Sequence, residues 1–385
     1  MKPAELKELM AKVSAHAAAY RAAVNERPHR PDETYDHLCA RFAAPTPETG
    51  MAAAALIDEL AATADAGLMP MIGPRFFGWV IGATAPAGMA ADWLAAAWGQ
   101  NTGNAYATPA ASAVEEVASA WLLDLLDLPR EASVGFVTGA TMANFTCLAA
   151  ARGEVLRRVG WDCEADGLVG APPIHVVLGE EAHSTVFSAL RYLGLGAKRV
   201  VSVAVDDNGC MRADAFATAI APLEGPIIAI AQAGHINSGG FDPLAQIAPL
   251  AHEKGAWLHI DGAFGLWART TKDRAHLARG VDLADSWGTD GHKWLQTPYD
   301  SGYAIVRDRE AHRRAMLIAA SYLPEGEYRH PADYVPELSR RARGFSTWAM
   351  IKALGRRGIA AMVSRHCDLA KRMAERLARE PTSKF

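Results

Sequence analysis

The sequence predicts an α/β fold in which a mainly parallel sheet is covered by helices on both faces. Three observations carry this. From Val134 onward, short β-branched runs alternate with helix-length stretches. The runs are continuously apolar, as strands buried on both faces are, and do not alternate with polar residues. Half of the 385 residues are hydrophobic and 21% are charged, enough apolar side chain for a large core in two or three domains.

In chain order, Leu6, Leu9, Met10, Val13 and Ala17 recur at helical spacing and predict an amphipathic helix. Its apolar stripe needs a cover, from its own domain or from a partner subunit. Pro28, Pro31, Pro45 and Pro47 break the pattern, and a second helix is expected around 56–64. The Ala-rich region to about Leu128 reads as helices, most clearly at 114–126. Strands are expected at 134–137, 174–178, 200–205, 226–232, 257–260, 285–289 and 302–306, with helices at 141–159, 184–193 and 243–252 between them. The stretch 337–385 is helical and holds twelve basic against four acidic residues. A solvated face with snorkelling arginines explains it better than a basic groove.

Charge and cysteine usage exclude several classes. With 39 basic and 43 acidic residues the net charge is −4, so nothing global favours nucleic acid or an anionic membrane. Cys39, Cys147, Cys163, Cys210 and Cys367 form no Cys-x-x-Cys pair, which argues against a disulfide framework or a zinc site and for a reducing cytoplasm. Glu5, Lys7, Glu8 and Lys12 interrupt any signal-peptide core. The apolar stretch 77–98 contains Pro86, Asp92 and several glycines, so it reads as a buried or interface segment and not as a membrane span. No Gly-x-Gly-x-x-Gly follows a strand, and no Walker loop or Gly-x-Ser-x-Gly elbow is present. His252–Glu253 begins like a zincin motif, but Ala256 stands where its second histidine belongs, and no metal is expected.

In a doubly wound sheet, ligands bind beyond the carboxyl ends of the strands. Four segments there carry chemistry. Residues 138–144 (TGATMAN) run from a strand into a helix, where small residues and free N–H groups suit an anion, or simply a Thr-capped turn. His183 opens a helix, either as a cap or as a plate to stack on a flat ligand. Asp261 ends a strand before Gly262 and Ala263, where a carboxylate could bind a metal, cap a helix or pair with a protonated ring nitrogen; the two small residues favour the ring. Lys293 lies between His292 and Trp294, either snorkelling over the indole or, desolvated, acting as a Schiff-base amine. Together, an anion cradle, a stacking imidazole, a carboxylate and an amine are the parts that hold pyridoxal 5'-phosphate.

Here the sequence resembles the pyridoxal-phosphate-dependent group II amino-acid decarboxylases, which include aromatic-amino-acid, histidine, tyrosine and glutamate decarboxylases. The likeness runs from about Pro74 to about Leu377. It rests on the ordered set 74–78 (PRFFG), 108–115 (TPAASAVE), 139–144 (GATMAN), 182–184 (AHS), 234–242 (GHINSGGFD), 259–263 (HIDGA), 290–294 (DGHKW) and 339–343 (SRRAR). The resemblance implies an aspartate-aminotransferase-like (fold type I) large domain at 74–310, an N-terminal helical dimerisation segment at 1–73, and a mobile loop with the start of a small domain at 311–385. It also implies a cytoplasmic homodimer with active sites at the subunit interface, so that the N-terminal helices and Phe76–Phe77 cover the partner.

By the same resemblance, Lys293 bonds the cofactor aldehyde, Asp261 holds the pyridinium proton, and His183 stacks on the ring with Ala263 near the opposite face. Ala140, Thr141 and His292 bind the phosphate, and Asp290 helps to place that region. A loop tyrosine returns a proton to the substrate carbon; Tyr334 is the first candidate, with Tyr322 and Tyr328 as rivals. The implied reaction is loss of CO₂ from an L-amino acid, with aromatic substrates slightly favoured and Phe76, Phe77, Trp79, Thr108 and Pro109 as possible pocket residues. Aldehyde synthesis, transamination or desulfuration would use the same parts. Two departures stand out: His235 replaces a threonine common in relatives, and the chain stops soon after the helix at 359–377, where relatives continue into a small domain with its own sheet. Most of that domain is therefore expected to be missing, which keeps a cofactor-binding pseudoenzyme among the alternatives.

Overall fold

The computed structural model describes residues 1–317 and 328–380. The chain divides into two compact units, Met1–Ala83 and Thr84–Phe385.

The first unit is helical: α1 (Pro3–Ala23), α2 (Tyr35–Phe42) and α3 (Ala53–Asp65). Pro3 starts α1 where a missing N–H costs nothing, and Thr34 caps α2 by accepting from His37 N. Helix α1 lies against α3, with His16 Nε2 2.9 Å from Asp58 Oδ1. Leu9, Val13 and Ala17 of the expected stripe are half-buried, and Leu6 and Met10 are exposed.

The second unit opens with α4 (Pro86–Ala97) and α5 (Pro109–Leu125), each started by a proline in its first turn. Seven strands then form one sheet: β1 (Ser133–Val137), β2 (His175–Gly179), β3 (Val200–Val203), β4 (Ile227–Gln232), β5 (Trp257–Asp261), β6 (Ser286–Asp290) and β7 (Gly302–Val306). Their order is β1-β7-β6-β5-β4-β2-β3, and only the pairs that include β7 are antiparallel. The predicted α/β fold with a mainly parallel sheet is thus the observed one. Helices α6 (Ala140–Arg157), α7 (Cys163–Asp166), α8 (Ser184–Tyr192), α9 (Ala213–Ile220) and α10 (Leu244–Glu253) connect the strands. Two apolar clusters fill the two sides of the sheet, one around Phe136, Leu258 and Trp287 and the other around Leu148, Ile228 and Trp257.

After β7 come α11 (Arg309–Met316), a short turn of helix at Pro331–Tyr334, and α12 (Arg343–Leu377). Helix α12 breaks at Gly355, whose φ of 62° suits a residue without a Cβ. No strand follows Val306 among the described residues. Among the same residues, no helix is long and apolar enough to cross a membrane, and no group of three or more His, Cys, Asp or Glu is arranged to hold a metal.

Candidate active site

Parallel strands place their carboxyl ends along one edge, and residues that end or follow β1, β2, β4, β5 and β6 gather there. A cavity of about 310 Å³ lies at this edge. Ala140, Thr141, His183, Asp261, Ala263, Asp290, His292 and Lys293 all line it. Residues as much as 153 positions apart in sequence, from Ala140 to Lys293, are thus brought to one wall.

At the end of β1 the chain turns into α6 through Gly139. This turn packs so closely on β7 that a Cβ on Gly302 would stand 2.5 Å from Gly139 Cα. The close approach aims the first amides of α6 into the cavity. Ala140 N donates to Asp290 Oδ1 at 2.6 Å. The next N–H groups belong to the first helical turn, which has no intrahelical acceptor for them and so suits an anion.

Asp290, at the end of β6, is buried and gathers its neighbours. Besides Ala140 N, it has Lys293 Nζ at 3.1 Å from Oδ2 and His292 Nε2 at 3.4 Å from Oδ1. Its own carbonyl accepts from Trp267 Nε1 at 3.0 Å. His292 Nδ1 accepts from Ser301 N at 3.1 Å, and burial pushes its pKa down despite the nearby Asp290 carboxylate. The imidazole is therefore neutral, with its proton on Nε2 facing Asp290. Lys293 Nζ sits 5.9 Å from the centre of the Phe264 ring, and Trp294 Nε1 bonds His366 Nδ1 at 3.2 Å. Trp294 thus ties the lysine's loop to α12, and Lys293 does not snorkel to the surface.

Asp261 ends β5 fully desolvated. Burial raises its carboxyl pKa, and His183, Lys293, the Ala263 N–H and Asn144 act in the opposite sense. Ala263 N donates to Asp261 Oδ1 at 3.2 Å. A buried carboxylate in this position lacks a full countercharge, which a cationic ring nitrogen would supply. His183 caps α8: its Nδ1 accepts from Thr185 N at 3.4 Å and lies 2.8 Å from Thr185 Oγ1. Capping and facing the cavity are both served by this one ring.

Other expected residues fall elsewhere. His235 is buried and turns to Glu181, with Nε2 3.1 Å from Oε2, and its neighbours Gly234 and Ile236 line the cavity in its stead. Tyr334 does not reach the cavity wall: it is 5% exposed, with the Arg329 guanidinium 4.6 Å from its ring centre and the His312 ring at 5.2 Å. Tyr328 is exposed beside Tyr106, and Tyr322 lies outside the described residues. Thr108 and Pro109 start α5 and do not line the cavity, while Phe76, Phe77 and Trp79 belong to the first unit. Sequence reasoning missed Phe264, Gln232 and Thr185, which follow or end strands and are lining residues.

The donor set fits pyridoxal phosphate. An amine, a buried acid lacking a countercharge, an imidazole plate and a helix N-terminus face one cavity of suitable size.

Comparison with known proteins agrees. The family described as "Pyridoxal-dependent decarboxylase conserved domain" matches residues 37–385. The aromatic-L-amino-acid decarboxylase of Bacillus atrophaeus is 28% identical over 291 residues, 73% of this chain and 58% of that protein. The L-2,4-diaminobutyrate decarboxylase of Rhizobium meliloti (strain 1021) is 30% identical over 328 residues, 83% of this chain and 64% of that protein. The aligned part of this chain spans about three-fifths of the length of these two relatives. The crystal structure of Oryza sativa TDC with PLP and tryptamine superposes with a TM-score of 0.86 at 24% identity, covering 94% of this chain and 76% of that one, which supports the fold. The cavity chemistry and the match over residues 37–385 lead to one conclusion: the chain belongs to the pyridoxal-dependent decarboxylase family.

Proposed function

We propose that this chain is a carboxy-lyase that removes CO₂ from an L-amino acid to leave the amine. The observation that carries the reading is the meeting of Lys293, Asp261, His183 and the start of α6 around one cavity. The names of the two curated relatives given above, both amino-acid decarboxylases, point the same way.

When bound, pyridoxal phosphate supplies a conjugated cationic ring that accepts the electron pair left by departing CO₂. The chain's residues divide the remaining work. Lys293 would hold the cofactor by its aldehyde through the side-chain amine. Asp261 keeps a proton on the ring nitrogen, placing negative charge beside the positive charge that must persist as the bond breaks. His183 covers one ring face, and Ala263, with no side chain beyond Cβ, leaves space at the other. The N–H groups that follow Ala140 in the first turn of α6, beginning with Thr141, would hold the phosphate, while Asp290 engages Ala140 N and His292 and fixes the α6 turn and Lys293 relative to each other. The proton returned to the substrate carbon would come from Tyr322 or Tyr328, since Tyr334 is packed away from the cavity.

An aromatic substrate is favoured because Phe264 and Ile236 give the cavity apolar walls, and among the described residues Lys293 is the one permanently cationic side chain that lines it. An acidic side chain would find no second lysine or arginine among the described lining residues. We place the protein in the cytoplasm as a homodimer, supported by the exposed Leu6 and Met10 of α1 and by the scattered thiols.

The cofactor-loaded protein is incubated with pooled L-amino acids, and amines, CO₂, aldehydes and hydrogen peroxide are measured. Amine and CO₂ in equal amounts, without peroxide or keto acid, are expected. Aldehyde with peroxide would replace this reading with an aldehyde synthase, and turnover of no amino acid would replace it with a cofactor-binding protein. The Lys293→Ala variant should lose the visible absorbance of the bonded cofactor.

A further inference from the structure

Behind Asp261 lies a line of hydrogen bonds through four buried side chains to which the proposed reaction assigns no role. Trp257 Nε1 is 2.8 Å from Ser286 Oγ. Ser286 Oγ is 2.9 Å from His259 Nδ1, and His259 Nε2 is 3.1 Å from Asn144 Oδ1. Asn144 Nδ2 is buried without a hydrogen-bond partner, and its amide packs on Gly288, the β6 residue paired with Asp261 in the sheet, where it favours the ionised carboxyl. Gly288 leaves the room for this, because a Cβ there would stand 2.4 Å from Asn144 Oδ1.

The chemistry of the first member leaves the second a proton with which to order the others. An indole N–H only donates, so Ser286 Oγ accepts from Trp257 and still has its own proton to give. The Cys147 sulfur competes weakly for that proton; its own S–H lies 3.5 Å from the carbonyls of Trp287 and Ile305. Burial drives the His259 pKa down to about 3, outweighing the Ser286 carbonyl, so the ring is neutral with one proton. If Ser286 donates to Nδ1, that proton is on Nε2 and goes to Asn144 Oδ1. The amide is then fixed with its oxygen toward His259 and its N–H groups free for Asp261.

We propose that Asn144 and His259 are positioning residues, which present an amide N–H to the Asp261 carboxylate and so strengthen its pairing with the ring nitrogen of pyridoxal phosphate. This rests on the cofactor reading given above. Asn144 and His259 touch neither substrate nor cofactor and act through Asp261 alone.

The test is a titration of the full-length protein with pyridoxal phosphate, and with its 1-deaza analogue, which keeps the aldehyde and phosphate but lacks the ring nitrogen. Binding is followed by quenching of tryptophan fluorescence. Asn144→Ala should bind pyridoxal phosphate about tenfold more weakly than the wild type, as loss of one charge-assisted hydrogen bond predicts. It should bind the deaza analogue within about twofold of the wild type. Asn144→Thr, whose hydroxyl both accepts and donates, should recover most of the loss. Ser286→Ala, which frees the imidazole to change tautomer, should show the same nitrogen-dependent weakening and decides the matter if the alanine variant does not fold. Equal weakening toward both compounds, or no weakening, would overturn the proposal. Failure of the wild type to bind pyridoxal phosphate at all would instead overturn the function on which the proposal rests.

Discussion

Lys293 and Ala140 share one carboxylate: Asp290 takes the lysine amine 3.1 Å from Oδ2 and the helix-start amide at 2.6 Å on Oδ1. The residue expected to bond the aldehyde and the turn expected to hold the phosphate are therefore coupled through one buried acid. Asp290→Ala removes both contacts at once and should weaken cofactor retention roughly tenfold or more, the cost of a charge-assisted hydrogen bond and its partner. Asp290→Asn keeps an acceptor for Ala140 N and should lose less. Residual bound cofactor after dialysis separates the two.

Tyr334 and Tyr328 make opposite demands on a proton-donor role. Tyr334 is packed beneath Arg329 and against His312, and burial raises its phenol pKa above the usual value. Tyr334→Phe should change turnover by less than about threefold, while the same change at whichever of Tyr328 and Tyr322 is the donor should cost about a hundredfold, the usual worth of a positioned acid. Amine production at saturating substrate measures both, with Tyr322→Phe as the third arm. A large loss confined to Tyr334→Phe would restore the first choice made from the sequence.

The strands were legible because each buried run is continuously apolar, and their ends are off by only a residue or two: the run at 226–232 starts in the structure at Ile227, since Pro226 has no N–H to give a ladder. The reversed direction of β7 was not legible, because apolar periodicity carries no sign of strand direction. Lys293, Asp261 and His183 could be read from sequence because each follows or ends a strand. Neither the Asn144–His259 contact nor the burial of Tyr334 could be: the first joins residues 115 positions apart, and the second depends on Arg329 lying over the ring. His235 carried a local signal, an imidazole in place of a threonine, but not the direction in which its ring turns.

Two motifs that had no assigned chemistry meet in a buried ion pair. Arg340 Nη1 and Nη2 donate to Glu115 Oε1 and Oε2 at 2.6 and 2.8 Å, joining α5 to the segment before α12. Both residues are buried, and removing Arg340 leaves Glu115 with only the longer contact to Arg329, whose Nη1 lies 4.0 Å from Oε2. Arg340→Ala should therefore destabilise the cofactor-free protein by about 3–5 kcal/mol in urea unfolding. Arg340→Lys should recover only part of this, because an ammonium cannot make the two parallel bonds that a guanidinium makes. Equal stability of all three proteins would mean that the pair contributes no more than an exposed one.

Asp242 allows a test by pH. It sits behind the end of β4, where Met211 N and Gln232 N each donate to it at 2.6 Å, yet burial still raises its carboxyl pKa from 3.8 to about 6. A carboxyl with a raised folded-state pKa binds its proton more tightly in the folded protein. The stability it contributes is full below about pH 4 and is lost as pH rises through about 6, a difference of about 3 kcal/mol. Asp58, Asp206 and Asp214 have lowered values and slope the other way, so the total curve does not isolate the effect. The difference between the wild type and Asp242→Asn does. The variant should be less stable at every pH, because its amide oxygen accepts from only one of the two N–H donors and its NH₂ faces the other, and the gap should narrow as pH rises from about 4 to about 6. Urea unfolding of the cofactor-free protein across that window measures it; a gap independent of pH would mean that Asp242 keeps an ordinary carboxyl pKa despite its burial.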